Sequence, residues 1–171
     1  GYEPFNGIVL TDTFQLGETG EGSGTIDVFP INNERATNQK GLGIRVIIGN
    51  PPYSAGQTNQ NDNNQNLSYE RLDQSISKTY VAGSRATNNR QLHDSYVRAF
   101  RWSSNRVANS EAGGILAFVT NGGFIDNNSF DGFRKSIASE FHHIYCYNLR
   151  GNSGVFGEVA LQEGGNVFDV R

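Results

Sequence analysis

Between Ile44 and Tyr53 the chain reads IRVIIGNPPY, an apolar run that stops on two adjacent prolines. No other stretch constrains the fold as much. Proline has no N–H and cannot continue the hydrogen-bond ladder of a central strand, and the residue before it is driven to extended backbone. The run Ile44–Ile48, apolar apart from Arg45, predicts a buried parallel strand. The chain then leaves that strand at Asn50 along a stiff, extended path. Asn50 and Tyr53 are presented from a rigid mount, suited to gripping a ligand.

The remaining pattern alternates strands and helices. Gly7–Leu10 reads as a short buried strand closed by Thr11-Asp12-Thr13. The glycine-rich Leu16–Gly24 leads into Thr25–Pro30, which alternates like a strand instead of opening a helix, so it reads as a linker and not as a phosphate- or cofactor-cradling loop. Gln57–Asn66 (QTNQNDNNQN) is a polar low-complexity loop. Leu67, Leu72, Ile76 and Tyr80 have helical spacing and predict a helix over Tyr69–Val81. Leu92, Tyr96, Phe100 and Val107 predict a longer one over Leu92–Val107. Gly113-Gly114 launches a second buried strand, Ile115–Val119. Asn127-Asn128-Ser129 supplies N-caps for a helix marked by Phe130, Phe133, Ile137 and Phe141. His143–Leu149 reads as a third strand, with Cys146 as inert core.

This order predicts an α/β fold: a Rossmann-like, mainly parallel sheet with flanking helices and right-handed crossovers. Strands near Ile44, Ile115 and Ile144 are expected to be neighbours. Ligands of such sheets sit at the carboxyl ends of strands, where Asn50 and Asn121 both fall.

With 171 residues there is room for one domain. The net charge of −3 provides no basic footprint for nucleic acid, although a further domain could carry one. One cysteine excludes an internal disulfide framework and fits a reducing compartment. No signal peptide, membrane-length apolar run or lipidation motif is present, so the expected location is cytoplasmic, with no membrane partner. His93, His142 and His143 lack the spacing of metal ligands, and no metal is expected. Starting on Gly1 and containing no Met, the chain is expected to be a piece of a larger protein.

An amide, a fixed carbonyl and an aromatic ring together suit one chemistry. The exocyclic amino group of adenine is a poor nucleophile because its lone pair is delocalised into the ring. Acceptors from the Asn50 side chain and a neighbouring backbone carbonyl would hold its two hydrogens and push the nitrogen toward tetrahedral geometry. Asn matches the hydrogen-bond edge of adenine, and Tyr53 could stack on the base for about 1–3 kcal/mol. Pro51 and Pro52 set this geometry before binding. A base in duplex DNA would have to be flipped out of the stack.

The corner resembles the catalytic motif of the adenine-N6 DNA methyltransferases. The likeness extends to LHDSYVRAFRWSSNRV, GGILAFVTNGGFI and HHIYCYNLRGN, covering most of Val46–Asn152. The whole pattern is similar to the methylase part of large bacterial restriction-modification proteins that also carry a helicase region. The resemblance implies that Asn50 and the Pro51 carbonyl hold the target amino group, with Pro52 completing the catalytic corner and Tyr53 stacking on the base. GIVLTDTF is similar to the strand whose end touches the adenine of S-adenosylmethionine, which implies Asp12 and Phe14 as cofactor contacts. For Asp12, an ordinary strand-end role stays equally open. Phe124 is a packing residue that could also wall the base pocket.

The implied whole is a single partial methyltransferase domain. Residues 1–43 are irregular with a cofactor-side strand, 44–152 hold the target-base half, and 153–171 begin a further segment. The cofactor-side glycine-rich motif would lie elsewhere, so the chain alone is expected to be inactive. The expected partners are DNA, with a flipped adenine, and the remaining domains of the same polypeptide. A competing class is a non-catalytic, methyltransferase-like DNA-binding or docking module of a helicase or restriction protein.

Overall fold

A computed structural model of the chain describes residues 3, 5–18, 29–52, 68–108, 110 and 112–148. Tyr53, the Gln57–Asn66 loop, Leu67, most of the glycine-rich stretch, residues 25–28 and residues 149–171 lie outside the described residues. The chain divides into two units, Gly1–Glu140 and Phe141–Arg171.

In the first unit, β1 (Val46–Gly49) and β2 (Ile115–Phe118) pair in parallel, with Val46 opposite Ile115 and Gly49 opposite Phe118. The β1–β2 connection contains α3 (Glu70–Ile76), a π-helical turn at Ser77–Val81, a 3-10 turn at Arg90–His93 and α4 (Ser95–Ala108). Helix α3 is thus the expected helix, extended by the π turn. The expected Leu92–Val107 helix is interrupted at Asp94, whose backbone is extended (φ −63°, ψ 149°) and whose carbonyl accepts from Arg98 N at 2.9 Å. Gly113 turns the chain into β2 with φ +69°, a conformation that favours glycine. Beyond β2 come α5 (Gly123–Asp126), a 3-10 turn at Asn128–Phe130 and α6 (Asp131–Glu140). The Asn127 side chain accepts from Ser129 N, as its N-cap signal predicts.

The core gathers Ile76, Tyr80, Leu92, Tyr96, Val97, Phe130 and Phe133 from α3, its π turn, the two 3-10 turns, α4 and α6. Each large apolar side chain withdrawn from water contributes about 1.5–3 kcal/mol. The buried guanidinium of Arg101 is satisfied by both oxygens of Glu140, at 2.7 and 2.9 Å, and by Asn105 Oδ1 at 2.9 Å. The sheet is covered on one face. Ile47, Gly49, Leu116 and Phe118 are half-buried, whereas Val46, Ile48 and Ile115 are exposed, Ile48 by 77%. The strands were expected to be buried on both faces. Apolar composition reports a surface that can be covered, and among the described residues only one side of this sheet is.

Two further expectations are corrected in this unit. Gly7–Leu10 forms no strand; it is held by side chains of α2 (Pro30–Lys40), a helix in the stretch expected to be irregular. The Asn32 amide pairs with both the N–H and the carbonyl of Leu10 (2.7 and 2.8 Å), and Gln39 donates to the Gly7 carbonyl at 2.6 Å. Ile8 and Leu10 stay exposed. Arg106 of α4 fastens the other end of α2, donating to the carbonyls of Gln39, Lys40 and Leu42 at 2.8, 2.7 and 3.3 Å.

In the second unit, residues 143–148 form no strand. Cys146 is exposed, not core, and Tyr145 is 90% exposed. Apolar alternation encodes a face, but a strand exists only with a ladder partner. No helix among the described residues is long and apolar enough to cross a membrane. Among the described residues no cluster of three or more His, Cys, Asp or Glu suits a metal ion.

Candidate active site at the end of the parallel pair

The end of β1 follows from its register. Arg45 and Gly49 carbonyls accept from Ile115 N and Val119 N at 2.7 and 3.0 Å. Continuing this parallel alternation, the next donor to the Val119 carbonyl would be the N–H of residue 51. Residue 51 is proline, so the ladder stops there and Asn50 leaves the sheet. Asn50 is exposed, Pro51 buried and Pro52 exposed. Alternation puts Asn50 on the open face with Ile48, and Pro51 on the covered face with Gly49.

Aromatic packing supports this end of the sheet. The Phe118 ring lies so close over Gly49 that a Cβ there would meet it at 3.1 Å. Phe118 packs edge-on against Phe100 at 5.0 Å, and Phe100 against Phe133 at 5.2 Å. Phe124 completes the cluster at 5.9 Å from Phe100 and 5.7 Å from Phe133. The loop after β2 is pinned from α6, where Arg134 donates to the carbonyls of Phe124 and Asn127, each at 2.9 Å. Phe124 is therefore a packing residue on a tethered loop.

On the other side of β1, a cleft of about 600 Å³ opens between the 11–14 turn, the strand and α4. Thr11, Thr13, Phe14, Ile47, Ile48 and Trp102 are among its walls; Asp12 is not. The Asp12 carboxylate shapes the turn itself. Its Oδ1 accepts from Phe14 N and Gln15 N at 2.9 and 3.2 Å, opening the one-turn helix α1 (Gln15–Glu18). Its Oδ2 accepts from the Tyr69 hydroxyl at 2.7 Å.

Two further residues hold this turn, Tyr69 and Glu18, and the sequence pattern does not single them out. Tyr69 is buried immediately before α3. Burial first, and then the Asp12 hydrogen bond, hold its phenol well above its ordinary range, so the proton stays on the oxygen and donates. Glu18 accepts from Arg71 N and Leu72 N at 2.7 and 2.9 Å, capping α3 from a distant part of the chain. A tyrosine directly before a helical pattern was visible; its partner, far away in sequence, was not.

A parallel α/β pair ended by an Asn-Pro-Pro corner, with a cleft beside the strand, has the form of a Rossmann-like α/β fold. The chain belongs to the Eco57I restriction-modification methylase family, which it matches over residues 15–156. It is 49% identical to a nuclease-deletion mutant of the Type ISP restriction-modification enzyme LlaGI, solved in complex with a DNA substrate mimic, with a TM-score of 0.85 over 98% of this chain and 13% of that one. The ATP-dependent Type ISP restriction-modification enzyme LlaBIII bound to DNA is 48% identical, with a TM-score of 0.70 over 80% of this chain and 9% of that one. The cryoEM structure of a DrdV–DNA complex gives 46% identity and a TM-score of 0.81 over 97% of this chain and 16% of that one. The chain thus spans less than a fifth of each of these structures. No curated protein matches it. The fold is part of the Rossmann-like methyltransferase fold.

Proposed function

We propose that this chain is the target-base half of a DNA methyltransferase within a multidomain restriction-modification enzyme, and that the whole protein methylates the exocyclic amino group of adenine. The observation that carries the reading is the corner at the carboxyl end of β1, where Pro51 stops the ladder and leaves Asn50 exposed. Asn50 Oδ1 and the Pro51 carbonyl accept the two amino hydrogens and orient the nitrogen lone pair. Tyr53 stacks on the flipped base, Pro52 stiffens the corner, and Phe124 walls the pocket. The cleft suits an adenosyl group, since the Phe14 ring and aliphatic Ile47 and Ile48 fit a purine and the Thr11 and Thr13 hydroxyls fit a ribose. When bound there, S-adenosylmethionine supplies an electrophilic methyl group. Phe14 contacts it as a wall of the cleft, and Asp12 serves the cofactor side by fixing the turn that carries Phe14. The partners are DNA and the other domains of the polypeptide, and the setting is cytoplasmic.

The test is single-turnover methylation by the full-length enzyme, with DNA and cofactor affinities measured alongside. Asn50→Ala removes an acceptor that matters most as the amino nitrogen becomes tetrahedral. Turnover should fall on the order of 10²–10³-fold, the effect of losing one contact to developing charge, with DNA affinity little changed. Tyr53→Ala should weaken both capture of an extruded adenine and turnover, whereas Tyr53→Phe should be mild. Near-normal turnover in Asn50→Ala would reduce the corner to a structural turn and favour a non-catalytic docking module.

A further inference from the structure

We propose that Tyr69 and Glu18 are positioning residues, which clasp the Asp12–Glu18 turn onto the start of α3 and thereby set the wall that Phe14 presents to the cofactor. The inference rests on the methylase reading above and assigns the turn's geometry to residues outside the corner.

The clasp has two points. At one end of the turn, the Tyr69 hydroxyl donates to Asp12 Oδ2 at 2.7 Å, while Asp12 Oδ1 fixes the amides of Phe14 and Gln15. At the other end, both oxygens of Glu18 are taken by the amides of Arg71 and Leu72. Between them the Phe14 ring stands edge-on to Tyr69, with centroids 5.3 Å apart and planes at 82°. Tyr69 is itself immobilised. The Arg98 guanidinium lies over its ring at 5.3 Å, and that guanidinium is held by both oxygens of Asp73, each at 2.9 Å. Asp73 Oδ2 also accepts from Tyr69 N at 3.4 Å.

Phe14 therefore reaches the cleft from a turn whose stiffness comes from α3. In sequence, α3 is the first described helix after the segment that carries Tyr53. The clasp thus joins the cofactor side of the site to the element that resumes the chain after the target-base corner. A turn held at both ends is ordered before the cofactor arrives, which removes an ordering cost from binding.

Tyr69→Phe in the full-length enzyme deletes one hydroxyl and keeps the ring. In the cofactor-free protein, amide exchange at Phe14 and Gln15 should accelerate. The dissociation constant for S-adenosylmethionine, measured by calorimetry, should rise about tenfold, the order set by one hydrogen bond to a charged group. KM for the cofactor should rise with it, kcat should change far less, and DNA affinity should stay within about twofold of the parent. Glu18→Gln, which keeps one acceptor oxygen, should show a smaller shift in the same direction. If the parent binds cofactor and methylates while Tyr69→Phe matches it in exchange and affinity, the clasp positions nothing and the methylase reading stands. If the parent binds no S-adenosylmethionine, both fall.

Discussion

Asp131, outside the proposed site, ties the first turn of α6 to residues 84 and 85. Its carboxylate accepts from the Ser84 hydroxyl, from Arg85 N at 2.9 Å and from Gly132 N at 2.7 Å, with Lys135 Nζ at 3.4 Å. The Ser84 hydroxyl first, and then the Arg85 amide, hold the carboxyl well below its ordinary value of 3.8. A depressed carboxylate stabilises the fold above its unfolded pKa, and that contribution is lost as pH falls toward the folded value. Asp131→Asn should therefore lower the melting temperature most at neutral pH. The deficit should shrink once the pH drops below about 4, as the parent loses the same contribution. Thermal melts of parent and variant at pH 7 and pH 3 decide the matter, and an equal deficit at both would refute it. The site's residues were unequally legible in the sequence. Asn50 and Pro51 stood out because a proline pair after an apolar run has few uses. Asp12 was picked out, but its bonds to Tyr69 and to its own turn were not, because only folding brings residues 12 and 69 together.

At the scale of elements, α3, α4 and α6 were legible because each buries a stripe of large apolar residues at helical spacing. Helix α2 was not, since Ala36 is its one buried residue and it presents polar side chains to residues 6–10. Its readable signals were Pro30 in the first turn, Lys40 in the last and Gly41 just beyond. The expected strand at 143–149 shows the opposite error, apolar alternation without a ladder. Packing between elements makes one strict demand. The first turn of α6 approaches the π turn so closely that a Cβ on Gly132 would lie 1.9 Å from the Tyr80 carbonyl oxygen and 2.6 Å from Ser84 N. Neither obstacle is a flexible side-chain tip, so the backbone itself must move. Gly132→Ala should destabilise the fold by about 1–3 kcal/mol or more, the range for overpacking. Urea unfolding measures it, and a loss below about 0.5 kcal/mol, the scale of an ordinary surface change, would mean that the helix and the turn separate easily.

At the scale of the whole molecule, one face of the parallel pair is left open by the described residues and the cleft lies beside it, walled in part by exposed Ile48. Two strands with one covered face make a small platform, and the sequence supplies no glycine-rich loop at a strand end to cradle the cofactor's far side. The 171-residue chain expressed alone should therefore bind S-adenosylmethionine more weakly than micromolar, or about −8 kcal/mol, and should not methylate DNA. Calorimetry of the isolated chain checks this, and a micromolar constant would show that the turn and strand suffice. The end of β1 has a meaning beyond its geometry. Most strand ends are shaped by what a side chain adds, but this one is shaped by a hydrogen atom that is missing. With the register fixed by Val46 opposite Ile115, any residue but proline at position 51 would offer the Val119 carbonyl a ladder donor. The sheet could then grow by one bond and draw Asn50 back into line. At this position the choice is binary: an imino acid ends the ladder, and every other residue permits it to continue.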